Sequence, residues 1–533
     1  MTNLSGSNFI AGKASQQGSS TFTSVNPRTR AAGSVRFFNA TAHEIDEAVT
    51  HAAAAFEITR HYSAERLAAF LDRAAAEING LGDELLETAD WETGLGIPRL
   101  TGERGRTTGQ LQAFARLLRE GSYVEAIIDT ALPDRQPAPR PDIRRMLLPI
   151  GPVAVFSASN FPFAFAVAGG DSASAWAAGC PVVVKAHPGH PATSELFALA
   201  INRATEGEGF PRGWFSLLHG NGVEVGQTLV QHPLLEAVGF TGSLRGGRAL
   251  YDTAARRERP IPVYAEMGSI NPIVILPGAA ARRSEGLAEG LVNSVTLGSG
   301  QFCTNPGLIL MLNEASTRPF IEAVKGKMAG RAPGVLLNEA IERGLTATVA
   351  GTQGRGTVET LTGGTVVEGD SFCYANTVLE TTGAAFIADG GLQAEHFGPV
   401  TLLVVCESRE ELEAAIRGLH GNLTATIHAE VDEIDVAEAL FSLLREKAGR
   451  LIWNGFPTGV EVVQAMQHGG PYPATTAPGT TSVGMTAIRR FLRPVAYQNM
   501  LEALLPDALK KANPLGIWRI VNGEMTKGEV TSL

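Results

Sequence analysis

The sequence predicts an α/β protein with mostly parallel sheets covered by helices on both faces. Short apolar runs of strand length recur from residue 151 onward, and the intervals between them carry helical patterns. Such alternation is the pattern of strand–helix–strand units, whose strands are buried on both sides. A length of 533 residues allows two or three domains, each with its own core.

Taken in chain order, residues 1–35 read as an irregular, polar lead-in with Ser, Gly and Asn turn signals. Residues 41–120 read as mostly helical. Thr41-Ala42-His43-Glu44 matches a capping box before an Ala-rich run, and a second helix is expected over 63–80. In 106–120, Leu111, Phe114, Leu117 and Leu118 share one helical face. Pro133, Pro137, Pro139 and Pro141 exclude a continuous helix over 129–141, which reads as an extended arm. Strands are expected at 151–157, 181–185, 214–218, 237–240, 262–265 and 272–275, with helices at 190–204 and 222–230. A second αβ region runs from about 278 to 454, with strands near 307–312, 401–405, 423–427 and 451–453. Residues 498–509 look helical, and a tail broken by Gly and Pro follows.

Composition limits the function classes. Apolar residues make up 44% and charged residues 18%, which describes a globular chain and not a disordered one. A formal charge of −10 argues against a general nucleic-acid or anionic-membrane surface. Cys180, Cys303, Cys373 and Cys406 form no C-x-x-C pair, so their spacing suggests neither a metal centre nor a disulfide scaffold. The opening residues Met1–Gly6 carry no targeting pattern and no run is long and apolar enough to span a membrane, so the expectation is a cytoplasmic protein.

Cys303 stands in Gly298-Ser299-Gly300-Gln301-Phe302-Cys303-Thr304-Asn305-Pro306, between small residues and a turn-forming Asn-Pro. A buried structural thiol is one reading; the other is a nucleophile facing a pocket. Glu266, in Tyr264-Ala265-Glu266-Met267-Gly268-Ser269, follows an apolar strand and reads either as a capping carboxylate or as a general base. Asn160, before Phe161-Pro162, is a turn residue or an amide donor to a developing alkoxide, with the backbone N–H of Cys303 as second donor. Together they supply what covalent oxidation of an aldehyde requires: a thiolate that adds to the carbonyl, an alkoxide that expels hydride, and a base for hydrolysis of the thioester.

Two segments suit a phosphorylated cofactor. Lys185 closes Val182-Val183-Val184-Lys185, at the carboxyl end of a strand. Phe240-Thr241-Gly242-Ser243-Leu244-Arg245-Gly246-Gly247 offers turn glycines and a hydroxyl at a helix start. Neither matches G-x-G-x-x-G, and each admits the plain reading of a solvated charge or a turn.

Over roughly residues 25–500 these segments resemble the aldehyde dehydrogenase superfamily, in order and in spacing. The matching motifs are Ser159-Asn160-Phe161-Pro162, Val184-Lys185, Phe240-Thr241-Gly242-Ser243, Glu266-Met267-Gly268, Gly300-Gln301-Phe302-Cys303, Glu395-His396-Phe397-Gly398-Pro399 and Trp453-Asn454. The resemblance implies Cys303 as nucleophile, Glu266 as base and Asn160 as oxyanion donor. It also implies a cofactor set of Lys185, Pro188, Thr241, Gly242, Ser243, Glu395 and Phe397. The implied architecture is a Rossmann-like dinucleotide-binding domain (1–130 and 150–277), an α/β catalytic domain (278–485), a small β oligomerisation arm (131–149 and 486–500) and a C-terminal extension (501–533). A homodimer or homotetramer is expected.

Departures from the family pattern narrow the reading. Many NAD-preferring members carry a glutamate where this chain has Pro188, and its loss removes repulsion of a 2'-phosphate. NADP is the expected cofactor, with NAD possible. Ser269-Ile270-Asn271-Pro272 replaces the usual Gly-Lys-Ser-Pro. Gln467-His468-Gly469-Gly470-Pro471-Tyr472, Thr480-Thr481-Ser482-Val483-Gly484 and Arg493–Gln498 resemble the branch of 2,5-dioxovalerate (α-ketoglutaric semialdehyde) dehydrogenases, which also holds broad and long-chain NADP-linked enzymes. A 2-oxo acid semialdehyde calls for a cation at its far end, for which Arg104 and Arg106 are candidates, although each also reads as a surface arginine. Phe163, with Phe161 and Phe165, is a candidate for the access tunnel or for core. A CoA-acylating enzyme would keep the cysteine, and Glu266 favours water over CoA as the acyl acceptor.

Overall fold

The computed structural model describes residues 4–530. Residues 1–3, where the expectation about targeting begins, and 531–533, the end of the expected extension, lie outside the described residues.

Five strands of the first sheet are parallel. In spatial order they are Val263–Glu266, Ala237–Thr241, Val153–Phe156, Val182–Lys185 and Phe215–Leu218. The chain builds outward from Val153–Phe156, first to one side and then to the other. A crevice therefore opens at the carboxyl ends of Val153–Phe156 and Ala237–Thr241, where strand order reverses. The register brings the functional ends level: Thr241 pairs with Glu266, Phe240 with Phe156, and Phe156 with Lys185. Strand burial is nearly complete, as the uninterrupted apolar runs require, because helices pack on both faces.

The helical region is as expected in its main parts. Thr41 and Glu44 form the capping box of the helix Ala42–Thr59, and Ser63 caps Ala64–Asn79. Leu111, Phe114 and Leu118 are buried on the long helix Ile97–Glu120, which begins well before residue 106.

The second sheet runs, in spatial order, Glu359–Thr362, Thr377–Thr382, Val400–Cys406, Leu308–Leu312, Ile273–Ile275, Asn422–His428 and Ala448–Trp453. All pairings are parallel except that of the first strand. Ile273–Ile275, grouped with the first region on sequence, is an interior strand here, between Leu308–Leu312 and Asn422–His428. Its neighbours lie far downstream, so no local pattern could assign it.

A third sheet joins Leu492–Gln498, Ile143–Pro149, Ile127–Asp129, Arg519–Val521 and Glu524–Thr526. The expected helix over 498–509 is absent. Short 3-10 turns at Glu502–Leu504 and Asp507–Leu509 flank Pro506, which breaks helical continuity. The C-terminal segment is therefore part of the third sheet. Leu505, Leu509 and Ile517 pack on Val124, Ile128 and Met146, and Arg144 Nη1 donates to the Leu509 carbonyl at 2.6 Å. The opening residues also differ from expectation. Asn8–Ile10 pairs antiparallel with Lys13–Ser15 and sets Phe9 opposite Leu217, extending the first sheet with strands too short for periodicity to reveal. Among the described residues, no helix is long and apolar enough to cross a membrane.

Candidate active site

The loop that carries Cys303 is fixed before its thiol is considered. It leaves the helix Pro277–Thr296 through left-handed backbone at Gly298, Ser299 and Gly300. A Cβ on Gly300 would stand 2.0 Å from the Gly398 carbonyl oxygen, so only glycine passes there. Gln301 accepts from the Leu337 N–H at 2.9 Å, and Asn271 Nδ2 donates to the carbonyls of Cys303 (2.9 Å) and Asn305 (2.8 Å). Asn271 is itself fully buried at a φ of 46°, a region Asn tolerates, and Asn422 accepts from its N–H. The unusual Ser269-Ile270-Asn271 sequence is thus a clamp on the cysteine backbone.

Glu266 ends the strand Val263–Glu266 and is 4% exposed. The segment 468–482 folds over it. Met267 donates to the Ala474 carbonyl, and Ser482, whose N–H binds the His468 carbonyl, donates its hydroxyl to Glu266 Oε2. His468, 1% exposed, brings Nε2 to 3.0 Å from Glu266 Oε1 and 3.4 Å from Cys303 Sγ. Burial pushes the Glu266 carboxyl up, but His468, Ser482 and Cys303 outweigh it and hold the group below its ordinary range. The Cys303 thiol is driven well above its ordinary value, by burial first and by the Glu266 carboxylate second. The thiol is thereby held in its protonated form, so its attack on an electrophile requires a proton acceptor, and the ionised Glu266 carboxylate interacts with it directly.

Asn160 follows the strand Val153–Phe156, and its amide donates to the Gln301 carbonyl at 3.0 Å. That contact sets the amide against the loop that carries Cys303. Arg99 supports it: Nη2 donates to the Asn160 carbonyl at 2.7 Å, while the guanidinium lies over Phe161 and Phe302. Glu103 Oε1 accepts from the Phe163 and Ala164 N–H groups at 2.9 Å each and fixes the loop beyond.

On the other side of the crevice, burial pushes Lys185 down to about 8. His187, held well below its ordinary range by burial and by His190 and Lys185, is neutral, and its Nδ1 accepts from the Gly189 N–H. Pro188 is half-buried beside it. Thr241 Oγ1 is buried without a partner, and the Gly242 N–H is spent on the Glu266 carbonyl. Ser243 caps the helix Leu244–Ala255, leaving a twelve-residue helix with its N-terminus at the crevice. Glu395, pushed up to about 7 by burial, accepts from the Ser269 N–H at 3.4 Å, and a Cβ on Gly268 would collide with it. Phe397 is half-buried two residues on. A lone buried hydroxyl, a desolvated lysine, a helix N-terminus and a carboxylate beyond them fit a dinucleotide along this crevice.

Of the three substrate candidates, only Arg106 faces the reacting groups. It is half-buried at 5.3 Å from the Phe165 ring centroid, its Nη1 is buried without a partner, and its charge acts on Cys303 and Glu266. Arg104 points away and donates to the Gly82 carbonyl at 2.8 Å. Phe163 is core: it is fully buried against Phe197, with ring centroids 5.3 Å apart. The aromatic wall near the cysteine is Phe161, Phe165 and Phe302 instead. His468, Ser482, Asn271 and Arg99 had no role assigned from sequence. The first three stand out only as departures from the family pattern, and Arg99 lies on the same inward polar face as Glu103 and Arg106, at spacings of four and three.

The sequence profile of the aldehyde dehydrogenase family matches residues 14–472. Alpha-ketoglutaric semialdehyde dehydrogenase 2 of Azospirillum brasilense is 48% identical over 486 residues, covering 90% of this chain and 91% of the relative. Alpha-ketoglutaric semialdehyde dehydrogenase of Acinetobacter baylyi is 44% identical over 527 residues, covering 99% and 100%. Among solved structures, 1-pyrroline-5-carboxylate dehydrogenase from Thermus with bound NAD superposes with a TM-score of 0.78 at 23% identity, covering 92% of both chains. The chain belongs to the aldehyde dehydrogenase family, whose members oxidise aldehydes with NAD or NADP.

Proposed function

We propose that this member of the aldehyde dehydrogenase family oxidises 2,5-dioxovalerate (α-ketoglutaric semialdehyde) to 2-oxoglutarate, with NADP+ preferred and water as the final acyl acceptor. The names of the two bacterial relatives, which align over nine-tenths or more of this chain, support the substrate. The structural observation that carries it is Arg106, whose unpartnered Nη1 offers a carboxylate a charge-assisted hydrogen bond within the field of Cys303. Arg450, the other arginine acting on that thiol, gives Nη1 and Nη2 to the Gly459 and Pro457 carbonyls, so only its inner Nε is unpartnered, whereas Arg106 has a terminal nitrogen free.

Cys303 Sγ forms a bond to the aldehyde carbon, and its proton passes to the adjacent His468–Glu266 pair. The alkoxide oxygen is stabilised by the Asn160 amide and the Cys303 backbone N–H. A nicotinamide held in the crevice would supply the acceptor for the hydride that the alkoxide expels, leaving a thioester on Cys303; the proton on the His468–Glu266 pair leaves to solvent, so Glu266 is again a carboxylate. Glu266 then takes a proton from water as the water attacks the thioester carbonyl, and the C–S bond breaks to release the acid and the thiol. Ser482 and His468 orient the carboxylate for this step. Glu266 favours water over CoA, a thiol nucleophile that needs less help from a base.

Pro188 and His187 support the cofactor preference. No carboxylate occupies position 188 to repel a 2'-phosphate, Lys185 supplies charge, and with His187 Nδ1 accepting, its Nε2–H remains a donor. Thr241 and Ser243 hold the pyrophosphate end, and Glu395 the nicotinamide ribose. The third sheet serves self-association as a homodimer or homotetramer.

The test is acid production by the purified protein with NAD+ or NADP+, against 2,5-dioxovalerate, succinic semialdehyde, glutaraldehyde and a long aliphatic aldehyde. The expected result is the highest kcat/KM for 2,5-dioxovalerate with NADP+. Equal turnover of the aliphatic aldehyde would overturn the narrow substrate in favour of a broad enzyme using the Phe161–Phe165–Phe302 wall.

A further inference from the structure

Glu266, Cys303 and His468 form more than an acid–base relay. Each offers one ligand atom, and the three atoms lie within 4.8 Å of one another. Glu266 and His468 are 4% and 1% exposed, whereas Cys303 is half-buried. Glu266 Oε1 stands 3.0 Å from His468 Nε2, close enough for an ion pair but without good hydrogen-bond alignment. A buried carboxylate oxygen set beside a thiol and an imidazole, with its hydrogen-bonding capacity not fully used, can serve as a ligand to a cation.

We propose that this triad is a binding site for a thiophilic divalent ion, Zn2+ in the first instance, that reversibly blocks the nucleophile. One thiolate, one imidazole and one carboxylate are a tetrahedral zinc donor set with the fourth position left to water. Zinc bonds of about 2.0–2.3 Å at tetrahedral angles separate N from O by about 3.4 Å and S from N by about 3.5 Å. The present N–O and S–N separations are 3.0 and 3.4 Å, so those two pairs need part by only a few tenths of an ångström, and the third pair lies within 4.8 Å. The step balances: the Cys303 S–H bond breaks, an S–Zn bond forms, and one proton leaves to solvent. Thiolate and carboxylate together cancel the charge of the ion, which removes the cost of an isolated buried charge. Arg106 opposes entry of a cation, while Glu395 and Glu461 nearby offset it. Soft sulfur selects against Mg2+.

The proposal uses the side chains of the catalytic reading but does not depend on which aldehyde is oxidised, and its test needs no aldehyde. The reduced full-length protein is titrated with Co2+ as a spectroscopic stand-in, with Zn2+ as competitor. The expected result is one ion per chain, a near-ultraviolet thiolate-to-cobalt absorption, release of one proton, and displacement by Zn2+ but not Mg2+. Alkylating Cys303 with iodoacetamide in the unmutated protein should remove the absorption, and His468→Gln should weaken binding by at least about tenfold. Aldehyde oxidation should stop with one equivalent of Zn2+ and return with a chelator. Stoichiometric binding without the thiolate band, a band that survives alkylation, or no binding at all would each overturn the proposal. Because alkylation needs no substitution, a His468 variant that fails to fold leaves the test intact.

Discussion

The first sheet presents its carboxyl edge to the site, and the second presents its amino edge. Asn160, Lys185, Thr241 and Glu266 lie at or just beyond strand ends of the first sheet. Asn271, Cys303 and Glu395 all precede strands of the second. The first edge carries a lysine and hydroxyls suited to phosphate, with the Glu266 carboxylate at its margin. The second carries the Cys303 thiol and the Glu395 carboxylate. Each sheet alone is half a site, and the segment 468–482 joins them by laying His468 between Glu266 and Cys303.

If the second edge supplies the reacting atom, removing it is the severest break. Cys303→Ala should cut NADPH formation by on the order of 10^4-fold or more, measured by stopped-flow absorbance, with cofactor binding intact. Breaking the first edge's base has a smaller and different effect. Glu266→Gln should slow steady-state turnover about 10^2–10^3-fold and leave a first-turnover burst, since hydrolysis and not hydride transfer becomes limiting. Loss of both phases together would remove the distinction between the two edges.

The next test sharpens the substrate end. Arg106→Met should raise KM for 2,5-dioxovalerate about 10–100-fold, the loss of one charged hydrogen bond, with little change for an aliphatic aldehyde. A uniform rise for both would make Arg106 structural. Pro188→Glu should shift the NADP+/NAD+ preference about tenfold towards NAD+ by like-charge repulsion, read from the ratio of kcat/KM values. The smallest effect is a pH dependence. Burial sets Lys185 at about 8, so the amine is charged below that pH and loses its charge as pH rises through it. KM for NADP+ should climb towards tenfold per pH unit above about 8, and a flat profile up to about pH 9.5 would remove Lys185 from phosphate binding.

The contrast between edges also explains what the sequence disclosed. Strand ends in a parallel sheet point to candidate ligand residues, and that rule singles out Lys185 and Thr241 as candidates from local pattern. It has no counterpart for amino-edge loops, so Cys303 was visible by its chemistry and Glu395 only by resemblance. Ile273–Ile275 was misgrouped for the same reason: its partners are set by pairing across distant sequence. Arg104 and Arg106 sit two residues apart on one helix, about 200° around its axis. That angle sends one to the Gly82 carbonyl and the other towards Cys303, a difference settled by packing and not by composition. Phe163 and Phe165 part similarly, one to the core and one beneath the Arg106 guanidinium.

The most direct test of the account is a quenched mass spectrum of Glu266→Gln after one turnover with 2,5-dioxovalerate and NADP+. The account predicts a 2-oxoglutaryl thioester on the peptide containing Cys303, formed in step with the NADPH burst and removed by hydroxylamine. A full burst with Cys303 unmodified would contradict it.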